Sequence, residues 1–340
     1  MKALVLTGVK EFEIQDLPTP EIQPNEVLIN TAYAGVCGTD HDLYAGRPGS
    51  AAAVPPIVLG HENSGVVAAI GSEVTGVKVG DRVVVDPYLY CGHCYPCSIG
   101  RTNCCDNLHV LGVHVEGGMA EYFCHPADML IKIPDGMSWV QAAMAEPLTI
   151  SLHGIHRGGL KAGEYCAIIG AGPIGLAAAM VAQAYGAHAI LLDLVQERLD
   201  FAKSLGVEYT INSGKEDANA RVHEITGGEG AQQVMECSGA NPAIRSTLDL
   251  VSHAGRITFT GWPKKETSLP TDTITRKEID LRGARTSAGE FPEALELIAS
   301  KKVDMLKLLT KTVTLEEVPE TIIDIEKNPG NYMKVVVTME

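Results

Sequence analysis

Hydrophobic and polar positions follow two rhythms along this chain. In roughly the first 150 residues, short β-branched runs recur, as in Val27-Leu-Ile-Asn-Thr31, Ser64-Gly-Val-Val-Ala-Ala-Ile70 and Arg82-Val-Val-Val85. Pro18, Pro20, Pro24, Gly71, Gly76, Gly80 and Asp81 punctuate them, so the segment reads as a loop-rich, barrel-like β domain. Beyond it, apolar strands alternate with helical stretches. Tyr165-Cys-Ala-Ile-Ile169 predicts a strand, Ile174–Tyr185 an alanine-rich buried helix, Ala189–Leu192 a strand and Gln196–Leu205 a helix. Further strands are expected at Glu208–Ile211, Gln233–Glu236 and Arg256–Thr260, then a helix near Pro292–Ser300 and an end strand at Lys334–Val337. Strictly alternating strand and helix imply a parallel sheet with helices on both faces.

Composition narrows the partners. The formal charge of −15 repels phosphate backbones, which excludes nucleic acid as an expected partner. No apolar run is long enough for a membrane span, and that beginning at Met1 is too short for a signal peptide. Nine cysteines, an odd number scattered through an enzyme-sized chain, suggest a reducing compartment and metal binding. A cytoplasmic protein is expected.

Four of those cysteines, Cys91, Cys94, Cys97 and Cys105, read C-x2-C-x2-C-x7-C. Four thiolates close a tetrahedral shell around zinc and leave no position for substrate, so this lobe is read as structural. Two disulfides are the alternative, disfavoured because cysteines so close in sequence bridge with difficulty. Cys104 could replace Cys105.

Gly170-Ala-Gly172-Pro-Ile-Gly175 is a G-x-G-x-x-G fingerprint between an apolar strand and an apolar helix. Gly170 suits a tight turn, Gly172 a close approach to a pyrophosphate, and Gly175 close packing of helix on sheet. The helix start at Pro173 and Ile174 offers backbone N–H groups to that pyrophosphate. Asp193, 18 residues after Gly175, would accept hydrogen bonds from an adenosine ribose and repel a 2′-phosphate, favouring NAD over NADP. Arg198 could serve a 2′-phosphate, or stack on adenine or pair on the helix surface. Ser238 and Thr260 follow strands and are expected to line the cofactor site.

A mixed set of metal donors lies elsewhere: Cys37 in Gly35-Val-Cys-Gly-Thr-Asp40, His61 and Glu62 in Gly60-His-Glu-Asn-Ser-Gly65, and Glu146 in Ala145-Glu-Pro-Leu148. Three protein ligands plus a water or substrate oxygen are what catalytic zinc requires.

Taken in order, G-V-C-G-T-D at 35–40, G-H-E-N-S-G at 60–65, G-D-R-V at 80–83, C-G-H-C-Y-P-C at 91–97, G-G-M-A-E-Y at 117–122, A-E-P-L at 145–148 and G-A-G-P-I-G at 170–175 resemble the zinc-containing medium-chain dehydrogenases over nearly the whole chain. The resemblance implies an α/β protein with a GroES-like β-barrel catalytic domain at 1–150 and 291–340, a structural zinc lobe at about 88–108, and a Rossmann NAD-binding domain at 151–290. It implies two zinc ions per subunit. Cys37 and His61 would bind the catalytic ion, with Glu62 and Glu146 as exchanging ligands. Homodimers or homotetramers are expected.

Where the alcohol-dehydrogenase branch has cysteine, this chain has Glu146. That version resembles the sorbitol, threonine and sugar-acid dehydrogenases, and Cys91–Tyr122 is most similar to bacterial L-gulonate and L-galactonate 5-dehydrogenases. The expected reaction transfers hydride from a secondary hydroxyl of such a sugar acid or polyol to NAD, with zinc as Lewis acid. Thr39 would relay the proton. Many relatives carry a histidine five residues after the cysteine; here Asp42 stands there and His41 one earlier, so His41 either relays or faces solvent. Arg285 matches an arginine that faces substrate in polyol dehydrogenases and could hold a carboxylate, or form a surface ion pair. His114 is a further substrate-pocket candidate. Loops around 40–55, 110–116 and 285–290 would decide the substrate. The alternatives are a sorbitol- or polyol-dehydrogenase-like enzyme, an L-threonine 3-dehydrogenase-like enzyme and, more remotely, a non-catalytic NAD-binding protein.

Overall fold

The computed structural model describes residues 1–47 and 53–339, so part of the 40–55 loop, residues 48–52, lies outside the described residues. The chain divides into two compact units. One comprises residues 1–146, 291–299 and 305–340, and the other 147–290 and 300–304.

The first unit is built on one long strand, Glu26–Val36. It pairs antiparallel with Glu62–Ile70 along its length, with Tyr122–Pro126 near its start and with Lys334–Thr338 near its end. Arg82–Val85, Leu130–Lys132 and Leu309–Thr314 complete a seven-stranded sheet. A separate three-stranded sheet joins Lys2–Gly8, Glu11–Asp16 and Ile57–Val58. Val27, Ile29, Val67, Val83, Val85 and Phe123 form one buried cluster, and Leu4, Leu6, Ala34, Leu59, Val335 and Val337 belong to another. The β-branched runs thus face a core on alternate positions, as the pleat requires.

Antiparallel pairing places the end of one strand beside the beginnings of its neighbours. Gly35 lies opposite Glu62, and Val36 opposite Val335. Cys37, His61, Glu62 and Lys334, distant in sequence, are all brought to this one end of the sheet.

The second unit holds six parallel strands: β1 (Tyr165–Ile169), β2 (His188–Asp193), β3 (Tyr209–Asn212), β4 (Ala231–Glu236), β5 (Val251–Phe259) and β6 (Asp280–Gly283). Their spatial order is 3-2-1-4-5-6, the Rossmann order. Cys166, Ala167, Ile168 and Ile169 are consecutive and all buried, so both faces of β1 are covered. The order reverses between β1 and β4, which brings the Gly170 turn next to Ser238.

Several details differ from the periodicity. Strand β5 starts at Val251, five residues before the expected Arg256, and passes through Ala254 at φ 54°. The sheet edge β6 reads Asp-Leu-Arg-Gly, too mixed in polarity to announce itself as a strand. Gly175 lets the helix start approach the end of β1: a Cβ there would meet the Gly170 carbonyl oxygen at 1.8 Å and Ile168 Cγ2 at 3.4 Å. Gly170 has φ 108°, and a Cβ on Gly172 would meet nothing within 4 Å.

Gly175→Ala should therefore destabilise the second unit by about 1–3 kcal/mol through overpacking, whereas Gly172→Ala should leave stability near wild type. Thermal melting of the two variants checks this, and equal melting temperatures would contradict the assignment.

Candidate metal and dinucleotide sites

Cys37 caps the seven-residue helix Gly38–Tyr44. Its N–H donates to Asp40 Oδ2 at 2.8 Å, and its sulfur lies 3.7 Å from Thr39 Oγ1. Asp40 is fully buried, and its Oδ1 lies 3.9 Å from His61 Nδ1. At that separation the two attract electrostatically without a hydrogen bond, and neither atom has a hydrogen-bond partner among the described residues. Glu62 fits because residue 35 is glycine: a Cβ there would fall 1.9 Å from Glu62 Oε2. Lys334, also buried, donates to Val36 O at 3.1 Å and to Glu62 Oε1 at 2.5 Å. One ligand atom each from Cys37, His61 and Glu62 lies within 4.8 Å of the others.

Glu146, in the first turn of helix Ala145–Gly158, stands beside this cluster and is not a member of it. Its Oε1 accepts a 2.5 Å hydrogen bond from the hydroxyl of buried Tyr88. Burial, reinforced by Glu62, pushes the Glu146 carboxyl up to about 7. Burial opposes charge on His61, yet the Cys37 sulfur, Asp40 and Glu146 hold the ring well above the ordinary histidine value. Burial likewise opposes charge on Lys334, and Glu62 and Cys37 outweigh it. A thiol and three carboxyls thus share a buried pocket with one ammonium and one imidazole. A sulfur, nitrogen and oxygen donor set with surplus negative charge fits a zinc ion.

The four-cysteine lobe follows Tyr88–Leu89, which pairs with His109–Val110. Cys91, Cys94, Cys97 and Cys105 converge, with sulfur separations of 3.4 Å for Cys94–Cys97 and 3.8 Å for Cys94–Cys105. A tetrahedral shell with ~2.3 Å Zn–S bonds sets sulfurs roughly 3.8 Å apart. The backbone N–H groups of Cys91 and Asn107 both donate to Cys105 Sγ at 3.3 Å. Cys105 is buried within the cluster and Cys104 is exposed outside it. All nine cysteines are described, and none forms a disulfide.

In the second unit, a cavity of about 590 Å³ is lined by Gly170, Asp193, Arg198, Ser238, Ser246 and Asp249, among others. Helix Pro173–Ala184 begins directly after Gly172. Asp193 braces the glycine turn: Oδ2 accepts from Ala171 N at 2.6 Å and Oδ1 from Val195 N at 2.8 Å. Arg198 Nε is buried with no hydrogen-bond partner among the described residues. The Ser238 hydroxyl donates to Glu236 Oε1 at 2.5 Å, and Thr260 follows β5 with its Oγ1 buried. Thr260 is not among the residues lining the cavity.

The remaining candidates fall in varied settings. His41 Nδ1 lies 3.2 Å from an Arg47 nitrogen, and that guanidinium also binds Asp42 and Glu326. Arg285 is half-buried in the loop after β6. His114 is exposed, stacks on His109 and accepts the Val110 N–H at 3.0 Å. Asp40, Tyr88, Lys334 and Glu236 escaped the sequence reading. Asp40 sits inside the G-V-C-G-T-D motif, a few residues from the metal donor Cys37, and could have been found; Lys334 looked like a strand residue, and nothing marked Tyr88.

Residues 23–135 match the family described as alcohol dehydrogenase GroES-like domain, and residues 173–300 that described as zinc-binding dehydrogenase. An uncharacterized zinc-type alcohol dehydrogenase-like protein of Haemophilus influenzae is 50% identical, with 98% of each chain covered. The sorbitol dehydrogenase of Bacillus subtilis is 36% identical over 99% of this chain and 97% of its own. Among solved structures, one described as a short chain alcohol dehydrogenase from E. coli CFT073, complexed with NADH, has TM-score 0.94 and 32% identity over 100% and 99% of the two chains. The L-idonate 5-dehydrogenase of Escherichia coli has TM-score 0.91 and 25% identity over 99% and 98%. With its GroES-like barrel, Rossmann sheet and two clusters of metal donors, the chain belongs to the zinc-type medium-chain alcohol and polyol dehydrogenases, oxidoreductases that act on CH–OH groups with zinc and a nicotinamide dinucleotide.

Proposed function

We propose that this protein oxidises a secondary hydroxyl of a sugar acid or polyol, of the L-gulonate or L-galactonate type, using NAD. The observation that carries the reading is the cluster of half-buried Cys37 with buried His61 and Glu62, and a second carboxylate, Glu146, beside it. Those three residues hold the catalytic zinc, with Glu146 at its margin, and Cys91, Cys94, Cys97 and Cys105 hold the structural one. Zinc at the first site supplies Lewis acidity that lowers the pKa of a substrate hydroxyl. Carboxylates around it, in place of a second thiolate, suit oxygen-rich substrates with vicinal hydroxyls. Asp40 lies beside the His61 ring as a charge partner, and Thr39 relays the hydroxyl proton through its own hydroxyl toward solvent. The carbinol hydrogen leaves with its electron pair to NAD, so the products are ketone, NADH and one proton.

Arg285 holds the substrate carboxylate. The likeness to sorbitol and L-idonate dehydrogenases supports a substrate in this range. Homo-oligomeric assembly belongs to the same reading, as does a reducing cytoplasm, which the nine unpaired thiols support.

NADH formation should appear with aldonates in a panel that also holds neutral polyols, simple alcohols and L-threonine. Arg285→Ala should then raise KM for aldonates about tenfold or more, the loss of one charge-assisted contact, with little change for neutral polyols. Activity confined to neutral polyols would remove the carboxylate role from Arg285, and activity confined to L-threonine would overturn the substrate class.

Cofactor choice rests on Asp193 lying in the cavity after β2. Fluorescence titration should show NADH binding more tightly than NADPH, and Asp193→Ser should narrow that ratio about tenfold or more. Tighter NADPH binding by the wild-type protein would place Arg198 in control instead.

A further inference from the structure

We infer that Tyr88 is a positioning residue for the catalytic centre: its hydroxyl holds the Glu146 carboxylate out of the Cys37–His61–Glu62 shell and so keeps one metal position open for substrate oxygen. This rests on the metal assignment proposed above and adds a residue to it.

The site has two buried carboxylates competing for one ion. Each is tied to a buried donor on a different element. Glu62 receives Lys334 and fits over Gly35, in an orientation that leaves it within reach of Cys37 and His61. Glu146 receives the Tyr88 hydroxyl and lies outside that group. A metal shell of Cys37, His61 and Glu62 has three protein ligands, and an added Glu146 would close it in the manner of a structural site. A closed shell cannot polarise a substrate hydroxyl, so whatever restrains Glu146 protects turnover.

Tyr88 is placed to do this. Tyr88 is 5% exposed. Its backbone is pinned by the pairing of Tyr88 with Val110, and its N–H donates to Asp86 Oδ1 at 3.1 Å. Three residues later the chain enters the four-cysteine lobe at Cys91, and the returning strand His109–Val110 leaves that lobe four residues after Cys105. The structural metal lobe therefore closes the loop that carries Tyr88, and it gains a task in the chemistry although it has no open position of its own.

The test is Tyr88→Phe, which keeps the ring and removes only the hydroxyl. Cobalt replaces zinc in the full-length protein, and the visible spectrum is recorded with the rate of metal loss to a chelator. Released Glu146 should bind the ion. The cobalt bands should shift, loss of the catalytic metal should slow by about tenfold, the scale seen when a residue supporting a metal ligand is changed, and KM for the substrate should rise. Glu146→Gln added to Tyr88→Phe should return the spectrum to the wild-type form. An unchanged spectrum and an unchanged loss rate in Tyr88→Phe, with NADH binding intact to show folding, would overturn the inference. Cys37→Ser separates the two levels: if that variant keeps the full metal stoichiometry, the catalytic-site assignment itself fails, whatever Tyr88 does.

Discussion

The register of the strand Glu26–Val36 is the constraint on which the rest depends. It sets Gly35 against Glu62 and Val36 against Val335, and so assembles Cys37, the His61–Glu62 pair and Lys334 from three distant stretches of chain. A shift by one residue would turn each side chain to the other face of the sheet. Cys37 would then leave its partners, and the space that Gly35 keeps for Glu62 would be filled by a side chain. The core residues of the same strands hold this register, because Val27 and Ile29 can be buried only on one face. Packing and chemistry are thus specified by the same pairing.

Electrostatics follows from that assembly. Asp40, Glu62 and Glu146 are gathered away from water beside half-buried Cys37, with Lys334 and His61 as the cationic partners. Burying such a group is costly unless every charge is met. A divalent ion would meet the surplus, and the buried Lys334 ammonium orients Glu62. The cysteine lobe solves the same problem with sulfur alone, and its backbone N–H groups support Cys105. In the second unit the glycine turn depends on a carboxylate as well, since Asp193 receives two backbone N–H groups beside the turn.

Much of this was legible in the residues. Regular alternation of apolar strands and helices gave away the parallel sheet, and the spacing of the cysteines and glycines marked two sites. The short or mixed strands were not legible. Asp280–Gly283 pairs only at a sheet edge, where polarity is unconstrained, and Leu309–Thr314 is largely exposed. Pairing across great sequence distance was equally hidden: Lys334 becomes a partner of Glu62 only because the last strand returns beside Val36. Tyr88 lies in a two-residue strand, and its meaning arises from where helix Ala145–Gly158 begins. The choice between Cys104 and Cys105 needed burial, which spacing does not encode.

Zinc K-edge X-ray absorption on the purified, zinc-loaded protein addresses the central claim, that two chemically different metal sites share this fold. One four-sulfur shell and one shell with a single sulfur average to about 2.5 sulfurs per zinc, with the balance nitrogen and oxygen. That value, at two zinc ions per chain, is the predicted result. About four sulfurs per zinc at one ion per chain would mean that only the cysteine lobe binds metal, and the account of Cys37, His61 and Glu62 as a catalytic centre would fall.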